Sequence, residues 1–358
     1  DKVVRRGKVS LDVAPQEKKE LAVNVSGLKA KVGTEYFVNF SVTTLESEPL
    51  VPKGYEIAHE QFRLPIDPAS RSFSVQGPAL QCSENGNLLS VQSSRVAFVF
   101  DKSTGLVTSY KVKGTEYFHE GFGIQPNFWR APNDNDYGSQ MPKRLQIWKQ
   151  SSKNFNVVDA SLAMDGKDAV LKVSYLLAAG NLYIATYRIH PSGVVKANYT
   201  FTSTEMEAAK TEASEATLMA TFTPGNEAIR KESSKLVVPR IGVRFRLPAE
   251  MEQVTYFGRG PEENYCDRNN GTLVGEYQAT AEQMYFPYVR PQENGHHTDT
   301  RWLMLKKKNG KGLVVYADST LEFNSLRNSI EDFDGEEATH RDYQWGNRCL
   351  LYTSDAAD

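Results

Sequence analysis

Hydrophobic and polar residues alternate along most of this chain with a period of two, the spacing at which side chains leave opposite faces of a strand. Residues 36–42 carry Tyr, Val, Phe and Val at alternate positions, and residues 241–246 read Ile-Gly-Val-Arg-Phe-Arg. The turn sequences Pro191-Ser192-Gly193 and Asn309-Gly310 each separate two such runs, as in β-hairpins. Strands joined by short turns are antiparallel, so the pattern predicts an all-β fold.

Helical periodicity is weak by comparison. Only residues 143–149 and, more faintly, residues 205–209 have the spacing of an amphipathic helix. A (β/α)8 barrel needs about 250 residues in which strands alternate with long helices. The chain has no such alternation, and the sequence therefore excludes a barrel of this kind.

Composition narrows the class of partner. Hydrophobic residues make up 40% of the 358 residues, charged residues 24%, and the formal net charge is -2. This balance indicates a globular protein rather than a disordered or polyanion-binding one, so nucleic acid is not an expected partner. No run approaches the roughly 20 apolar residues of a membrane helix, and the sequence from Asp1 has no signal-peptide pattern. A membrane is not an expected partner either.

The three cysteines do not identify a compartment. Cys82, Cys266 and Cys349 form neither a disulfide framework nor a CxxC metal pair. Cytoplasmic and periplasmic locations of a soluble bacterial protein both stay open.

A stretch rich in proline, serine and glycine near residues 64–86 indicates a division into domains. The sequence predicts a small sandwich over residues 1–66, shortened at its N-terminus, a linker over 67–87, and one large all-β domain over 88–348, shortened at its C-terminus. Residues 349–358 read CLLYTSDAAD, the translation of a common sequencing adapter, and are expected to be an artefact.

The first distinctive motif spans residues 127–136, NFWRAPNDND. Asp and Asn side chains bond their own backbone, so this run predicts an anchored polar turn. A calcium or sugar contact at the same oxygen-rich loop is the alternative. The residues assigned a structural role in this motif are Trp129, Arg130, Asp134, Asn135 and Asp136.

The second motif spans residues 256–268, YFGRGPEENYCDR. Its GxG pair does not predict a phosphate loop, because Pro261 lacks a donor and the two glutamates after it would repel an anion. The favoured interpretation is a tight turn with ion pairs. The charged residues expected to form them are Arg259, Glu262, Asp267 and Arg268.

The third motif spans residues 288–302, YVRPQENGHHTDTRW. Adjacent histidines point in opposite directions on a strand, so His296 and His297 are not expected to bind one zinc ion. The motif fits either a buried polar network or a set of hydrogen bonds to sugar hydroxyls. A later acidic run, residues 331–337, lacks calcium-loop spacing and predicts a solvated loop.

Taken in order, the three motifs resemble glycoside hydrolase family 2 β-galactosidases, and the resemblance covers residues 1–348. It implies a partial immunoglobulin-like β-sandwich followed by a large antiparallel β-supersandwich, similar in fold to galactose mutarotases. The small sandwich corresponds to residues 1–66 and the supersandwich to 88–348. Trp302 closes the third motif and, like Asp267 and Arg268 in the second, is expected to have a structural role.

The resemblance also implies a function. Such enzymes hydrolyse terminal non-reducing β-D-galactose residues with retention, using two glutamates on a barrel that this chain lacks. The chain is therefore expected to be a C-terminal accessory part that shapes and supports the active-site cleft, with no catalytic residue and no activity alone. Eight residues are expected to line the substrate groove: Arg259, Glu262, Asn264, Arg290, Glu293, Asn294, His296 and His297.

The same resemblance implies no cofactor and no metal in this chain, because the magnesium and sodium sites of the family lie mainly in the barrel. The expected partners are a β-galactoside or oligosaccharide substrate, the remainder of the same polypeptide and a second copy in a homo-oligomer. The alternative function is a free-standing carbohydrate-binding or aldose-epimerase-like protein, in which His296 or His297 would act with Glu293 as acid and base. A purely structural oligomerisation module is a third possibility.

Overall fold

The computed structural model describes residues 2–66, 76–202, 237–334 and, for the backbone alone, 348–354. The chain divides into two compact units, Asp1–Ser74 with Leu273–Glu276, and Val75–Thr272 with Tyr277–Asp358. The described strands form four sheets in which the paired strands run antiparallel. The all-β prediction is confirmed.

In the first unit, the described strands β1 (Phe37–Thr43) and β2 (Glu56–Arg63) form an antiparallel hairpin. Phe37 lies opposite Arg63, which places Phe40 and Phe62 on one face with their rings edge to face, 6.0 Å between centroids. The hairpin follows from the alternation over residues 36–42, which supplies one apolar face.

The second unit begins with a five-stranded sheet in which neighbours in sequence are neighbours in space. Its strands are β3 (Gln81–Asn85), β4 (Leu88–Gln92), β5 (Val96–Asp101), β6 (Leu106–Val112) and β7 (Thr115–Glu116). Strand β3 lies inside the segment 67–87 expected to be a linker, so the linker is shorter than expected at its C-terminal end. Apolar alternation did not reveal β3 because it is an edge strand with mostly exposed polar side chains.

A four-stranded sheet follows in the order β12-β11-β10-β9. Its strands are β9 (Phe155–Asp165), β10 (Asp168–Leu177), β11 (Leu182–Ile189) and β12 (Val195–Thr202). Alternate residues of β10 and β11 are buried, as period-two patterning requires. Tyr175, Tyr183 and Tyr187 are among the largest fully buried side chains.

The third sheet has seven strands in the order β15-β14-β16-β17-β18-β13-β8. They are β8 (Gln125–Asn127), β13 (Gly242–Pro248), β14 (Gln253–Gly260), β15 (Leu273–Thr280), β16 (His296–Lys306), β17 (Gly312–Leu326) and β18 (Arg348–Ser354). Strand β18 includes the start of the segment expected to be an adapter artefact, and its backbone pairs with β13 and β17. A run of Leu, Tyr and Thr suits a strand whatever its origin, so the artefact stays a prediction.

Helices are short. The described ones are the 3-10 helix His119–Gly121 and the helices α1 (Asp134–Gly138), α2 (Met141–Arg144), α3 (Gln146–Ser151) and α4 (Ile330–Phe333). The helical pattern over residues 143–149 falls on α2 and α3, which separate at Leu145. Residues 205–209 lie outside the described residues. Within the described ranges, no helix is long and apolar enough to cross a membrane.

Candidate functional site

The first motif folds into the start of α1. Asn133 accepts a hydrogen bond from the Asp136 N–H at 3.0 Å, and the Asp136 carboxylate accepts one from the Asn133 N–H at 2.9 Å. This reciprocal pair caps the helix. The Arg130 guanidinium donates to both Asp136 carboxylate oxygens, at 2.5 and 2.8 Å, and the buried Trp129 indole donates to Asp334. The side chains of Asn133 and Asp136 therefore bond the local backbone, and Asp136 also binds Arg130.

The second motif is attached to β16 through Asn264, which is fully buried. Its amide nitrogen donates to the backbone oxygens of Arg259 and Glu262, at 3.1 and 3.0 Å. Its amide oxygen accepts from the Thr298 N–H and hydroxyl, and its own N–H donates to the His296 carbonyl. One side chain thus bonds four polar groups of the turn and the strand, of which the two on Thr298 are buried.

Glu263 attaches the second motif to the third. Its carboxylate accepts from the Gly295 N–H at 2.7 Å, from Arg268 at 2.9 Å and from the Tyr288 hydroxyl. The sequence predicted ion pairs among Arg259, Glu262, Asp267 and Arg268, but Arg268 pairs with Glu263, which lies outside that set. A carboxylate with three donors from two loops fixes their relative position.

The two arginines of the second motif use carboxylates outside the expected set. Arg259 pairs with Asp299 at 2.5 Å, and Arg268 pairs with Glu263 at 2.9 Å. In the part of the chain that the structure describes, Glu262 and Asp267 form no ion pair. The expectation named the right arginines, but local spacing could not show which carboxylates the fold would bring near them.

Five polar side chains contact one another in and around the third motif. We call them the polar network: Arg240, Glu293, His296, Glu322 and Asn324. Arg240 and Glu293 form an ion pair at 2.6 Å, and each side chain is only 6% exposed. The Asn324 amide donates to Glu293 at 3.1 Å, and its oxygen lies 2.8 Å from His296 Nδ1. His296 Nε2 lies 3.0 Å from Glu322. The network is a chain of paired groups in a low-dielectric environment.

Electrostatics in the network favour an ionised Glu293. Burial by itself would raise the pKa of this carboxyl, but the Arg240 guanidinium and His296 beside it lower the pKa below its ordinary value. Burial lowers the pKa of His297 to about 4, against weaker hydrogen bonds to the backbone oxygens of Pro261 and Gly295. His297 is therefore neutral near pH 7, packed between aromatic rings.

The structure brings the three motifs together but buries most of the residues expected to line a groove. The buried ones are Asn264, Glu293, Asn294, His296 and His297. Arg259 is half-buried, whereas Glu262 and Arg290 are exposed. Arg290 lies over the Tyr137 ring, 3.9 Å from its centroid, and 3.5 Å from Asp134 of the first motif. Of the eight candidates, Arg259, Glu262 and Arg290 are therefore the ones that reach the surface of the described structure.

Sequence reasoning missed Arg240, Glu322 and Asn324, which lie outside the three motifs. A basic residue just before a strand and two polar residues near the C-terminal end of β17 are the only signals they leave. Pairing across the sheet decides their contacts, since His296 lies opposite Asn324. An alternation pattern gives the face of each residue but not its neighbour on the next strand.

The acidic run 331–337 differs from its prediction in the part that is described. Residues 331–333 belong to α4 rather than to a solvated loop, and Glu331 accepts two hydrogen bonds from Arg244 at 2.8 and 3.1 Å. Burial by itself would raise the pKa of the Glu331 carboxyl, but the Arg244 guanidinium beside it lowers the pKa below its ordinary value. The Ser329 capping box starts the helix. Glu336 and its neighbours lie outside the described residues.

A cavity of about 290 Å³ is lined by residues such as Leu80, Met164 and His190, and none of the candidate groove residues lines it. Within the described residues, no group of three or more His, Cys, Asp or Glu side chains is arranged to hold a metal ion.

Comparison with known proteins agrees with the motifs. The family described as "Beta galactosidase small chain" matches residues 92–345, most of the chain. The chain belongs to this family. Residues 1–65 match the family described as "Beta-galactosidase, domain 4". The family is one of glycoside hydrolases.

Among curated relatives, a β-galactosidase of Priestia megaterium is 30% identical over 88% of this chain and 28% of its own length. A β-galactosidase of Streptococcus thermophilus is 26% identical over 94% of this chain and 30% of its own length. A β-galactosidase of Kluyveromyces lactis is 28% identical over 84% of this chain and 27% of its own length. The chain thus spans less than a third of the length of these relatives.

Proposed function

We propose that this chain is the C-terminal accessory part of a β-galactosidase that hydrolyses terminal non-reducing β-D-galactose residues with retention. In this proposal, both catalytic glutamates lie in another part of the enzyme, and the chain alone is inactive. Its loops shape and support the active-site cleft. The family membership and the relatives' names support the enzyme class.

The observation that carries the proposal is the state of Glu293, the buried carboxylate of the third motif. Retaining hydrolysis needs one carboxyl that carries a proton near neutral pH and a second about 5 to 5.5 Å away. Glu293 has a lowered pKa and is held by Arg240 and Asn324. A lowered pKa does not suit a general acid, and a side chain that is only 6% exposed and already bonded to Arg240 and Asn324 does not suit a nucleophile, so Glu293 fits a supporting group.

Hydrogen bonds that fix the loops of the second and third motifs support the accessory role. Glu263 and Asn264 fix the loops of the second and third motifs, and their outer residues Glu262 and Arg290 face solvent. A rigid inner layer that presents charged side chains at its rim fits a wall of a cleft. We propose Glu262, Arg290 and the half-buried Arg259 as the groove residues that can approach a galactoside.

Cofactors and other partners follow the same proposal. The chain needs no cofactor of its own, and the magnesium and sodium sites lie mainly in the barrel. Its partners are a β-galactoside substrate and the remainder of the enzyme. The epimerase alternative has less support, because both ring nitrogens of His296 already face Asn324 and Glu322, at 2.8 and 3.0 Å.

The test is hydrolysis of a chromogenic β-galactoside by three samples: this chain, the rest of the β-galactosidase from the same source, and the two combined. We expect activity only in the combined sample, with the β-anomer of galactose as first product by NMR. Hydrolysis by this chain alone would refute the accessory role. An inverted product would refute the retaining mechanism.

A further inference from the structure

A cavity opens where three segments of the second unit meet. Residues 76–80 precede β3, residues 166–167 join β9 to β10, and residues 190–191 follow β11, and each segment contributes to the lining. The cavity has a volume of about 290 Å³. A cavity of about 150 Å³ can hold a benzene molecule, so this one has room for a ring with a short substituent.

Close backbone packing gives the cavity a defined shape. A Cβ atom at Gly77 would lie 2.0 Å from the Pro191 carbonyl oxygen, so glycine is required where the segment before β3 meets the turn after β11. The Tyr110 hydroxyl donates to the Gly193 carbonyl at 2.5 Å, and the Gly193 N–H donates to the His190 carbonyl at 2.8 Å. These contacts hold the walls in place, as in the largely pre-formed pockets that bind small molecules.

The polar side chains of the lining are mainly hydrogen-bond donors. His190 Nδ1 accepts the Ser192 N–H at 3.0 Å, which leaves the hydrogen of the neutral ring on Nε2. Lys167 brings an ammonium group, and Gln76 brings an amide that can both donate and accept. Within the described part of the chain, the Lys167 ammonium and His190 Nε2 have no hydrogen-bond or ion-pair partner. Both donors are therefore available to a ligand.

The acidic residues beside Lys167 have a different cation as their partner. Asp165 and Asp168 flank Lys167 in sequence, but both carboxylates pair with Arg188, at 2.7 and 3.4 Å. A ligand anion beside Lys167 would form a charge-assisted hydrogen bond, which is stronger than a neutral one.

The remaining lining is apolar. Leu80 is 7% exposed and Met164 is 44% exposed, and Ala79 and Pro191 complete the apolar part. A ring placed against these side chains would remove apolar surface from water, which favours binding. The unbranched methionine side chain adapts readily to such a ligand. The lining thus combines apolar contacts with a few polar groups, as small-molecule sites do.

We propose that this cavity binds a small organic carboxylate that carries an apolar ring. A carboxylate only accepts hydrogen bonds, so it matches the free donors of Lys167 and His190. A sugar hydroxyl must also donate, and among the described lining side chains Gln76 supplies the one free oxygen acceptor. A neutral apolar molecule would leave the donors without partners, which costs binding energy. The lining therefore favours the carboxylate over a galactoside and over a plain hydrocarbon.

The experiment measures binding of phenylpropionate to this chain by isothermal titration calorimetry and ligand-observed NMR. Phenylpropanamide, which has the same ring and spacer without the charge, is the matched ligand, and galactose is the third probe. We expect saturable binding of phenylpropionate and at least fivefold weaker binding of the amide. The measurement uses the chain alone, so its result does not depend on the proposed β-galactosidase activity.

Three variants test the lining. Lys167→Gln removes the cation, and we expect it to weaken phenylpropionate binding at least fivefold while it changes amide binding less than twofold. Ala79→Phe fills the cavity and should abolish binding of both. The matched control is Lys172→Gln, an exposed lysine on β10 outside the lining, which should change binding less than twofold. Melting temperatures within error of one another establish that all variants fold.

Four outcomes would overturn the proposal. The first is no saturable binding of phenylpropionate to the unmodified chain, and the second is equal affinity for phenylpropionate and its amide. The third is an equal effect of Lys167→Gln and Lys172→Gln, which would mean that the overall charge of the chain and not this lysine attracts the ligand. The fourth is tighter binding of galactose that Ala79→Phe abolishes, because the cavity would then be a sugar site.

Discussion

The four-stranded and seven-stranded sheets of the second unit differ in how far their charged neighbours are exposed to solvent. The four-stranded sheet is apolar inside, with Tyr183 and Tyr199 stacked at 5.8 Å, and its outward side carries the exposed ion pair of Arg188 and Asp165 beside exposed leucines. The seven-stranded sheet has the buried ion pair of Arg240 and Glu293 beside it, and Phe257, Trp302 and Tyr316 form one row across three of its strands. A buried charge is costly to leave without its partner, whereas solvent screens an exposed pair. The contrast therefore predicts that the charged groups beside the seven-stranded sheet matter more to stability than those of the four-stranded sheet.

The largest expected effect comes from breaking the buried ion pair. Arg240→Ala leaves the Glu293 carboxylate buried without its cation, and we expect the free energy of unfolding to fall by roughly 3–5 kcal/mol. Urea unfolding followed by circular dichroism measures it. Lys196→Ala, whose side chain is 55% exposed and pairs with the exposed Asp318, is the control. The double variant Arg240→Met with Glu293→Gln should regain much of the loss, and a double variant no better than Arg240→Ala would argue against the buried charge as the cause.

A second expected effect is acid sensitivity from His297. Its pKa is about 4 in the folded chain and 6.5 in the unfolded one, so the unfolded chain binds more protons between these values. The stabilisation is fully present above pH 6.5 and is lost as pH falls toward 4, by about 3 kcal/mol in all. Glu293 acts in the same direction, since a lowered carboxyl pKa stabilises the fold until that group is protonated.

His297→Gln isolates the histidine contribution, because glutamine keeps a donor and does not titrate. The measurement is the unfolding free energy at steps from pH 7.5 to pH 4. We expect the variant to have a shallower slope than the unmodified chain between pH 6.5 and pH 4, whatever its stability at neutral pH. Parallel curves would show that His297 is not the titrating group.

A smaller loss is expected from Asn264→Ala, which removes the bonds that tie the second motif to β16. The buried Thr298 N–H and hydroxyl lose their acceptor, so we expect a loss of about 1–3 kcal/mol. Denaturant unfolding tests it against Asn154→Ala, an exposed position. A change no larger than that of the control would show that Asn264 does not hold the loops together.

The smallest effect belongs to the exposed ion pairs of the four-stranded sheet. Arg188 is 43% exposed and pairs with Asp165 at 2.7 Å and Asp168 at 3.4 Å. Solvent screens such pairs, so Arg188→Ala should leave the melting temperature unchanged within error. A loss comparable to that of Arg240→Ala would remove the difference between the two sheets.

The motifs could be found in the sequence, but their roles could not. The sequence placed Glu293, His296 and His297 in one segment and left a polar network and sugar contacts as alternatives. Burial of all three side chains favours the network. The burial of a loop depends on the residues that pack against it. Here these include Arg240 and Asn324, which are distant along the chain.

The sequence by itself determined the all-β class, the antiparallel hairpins and the family, because these depend on local alternation, turn residues and ordered motifs. Only the tertiary structure decided that Glu293 is ionised and enclosed, that Arg259 pairs with Asp299, and that Phe257, Trp302 and Tyr316 form one row. Those facts depend on strand register across the sheet, which brings together residues that are far apart in sequence.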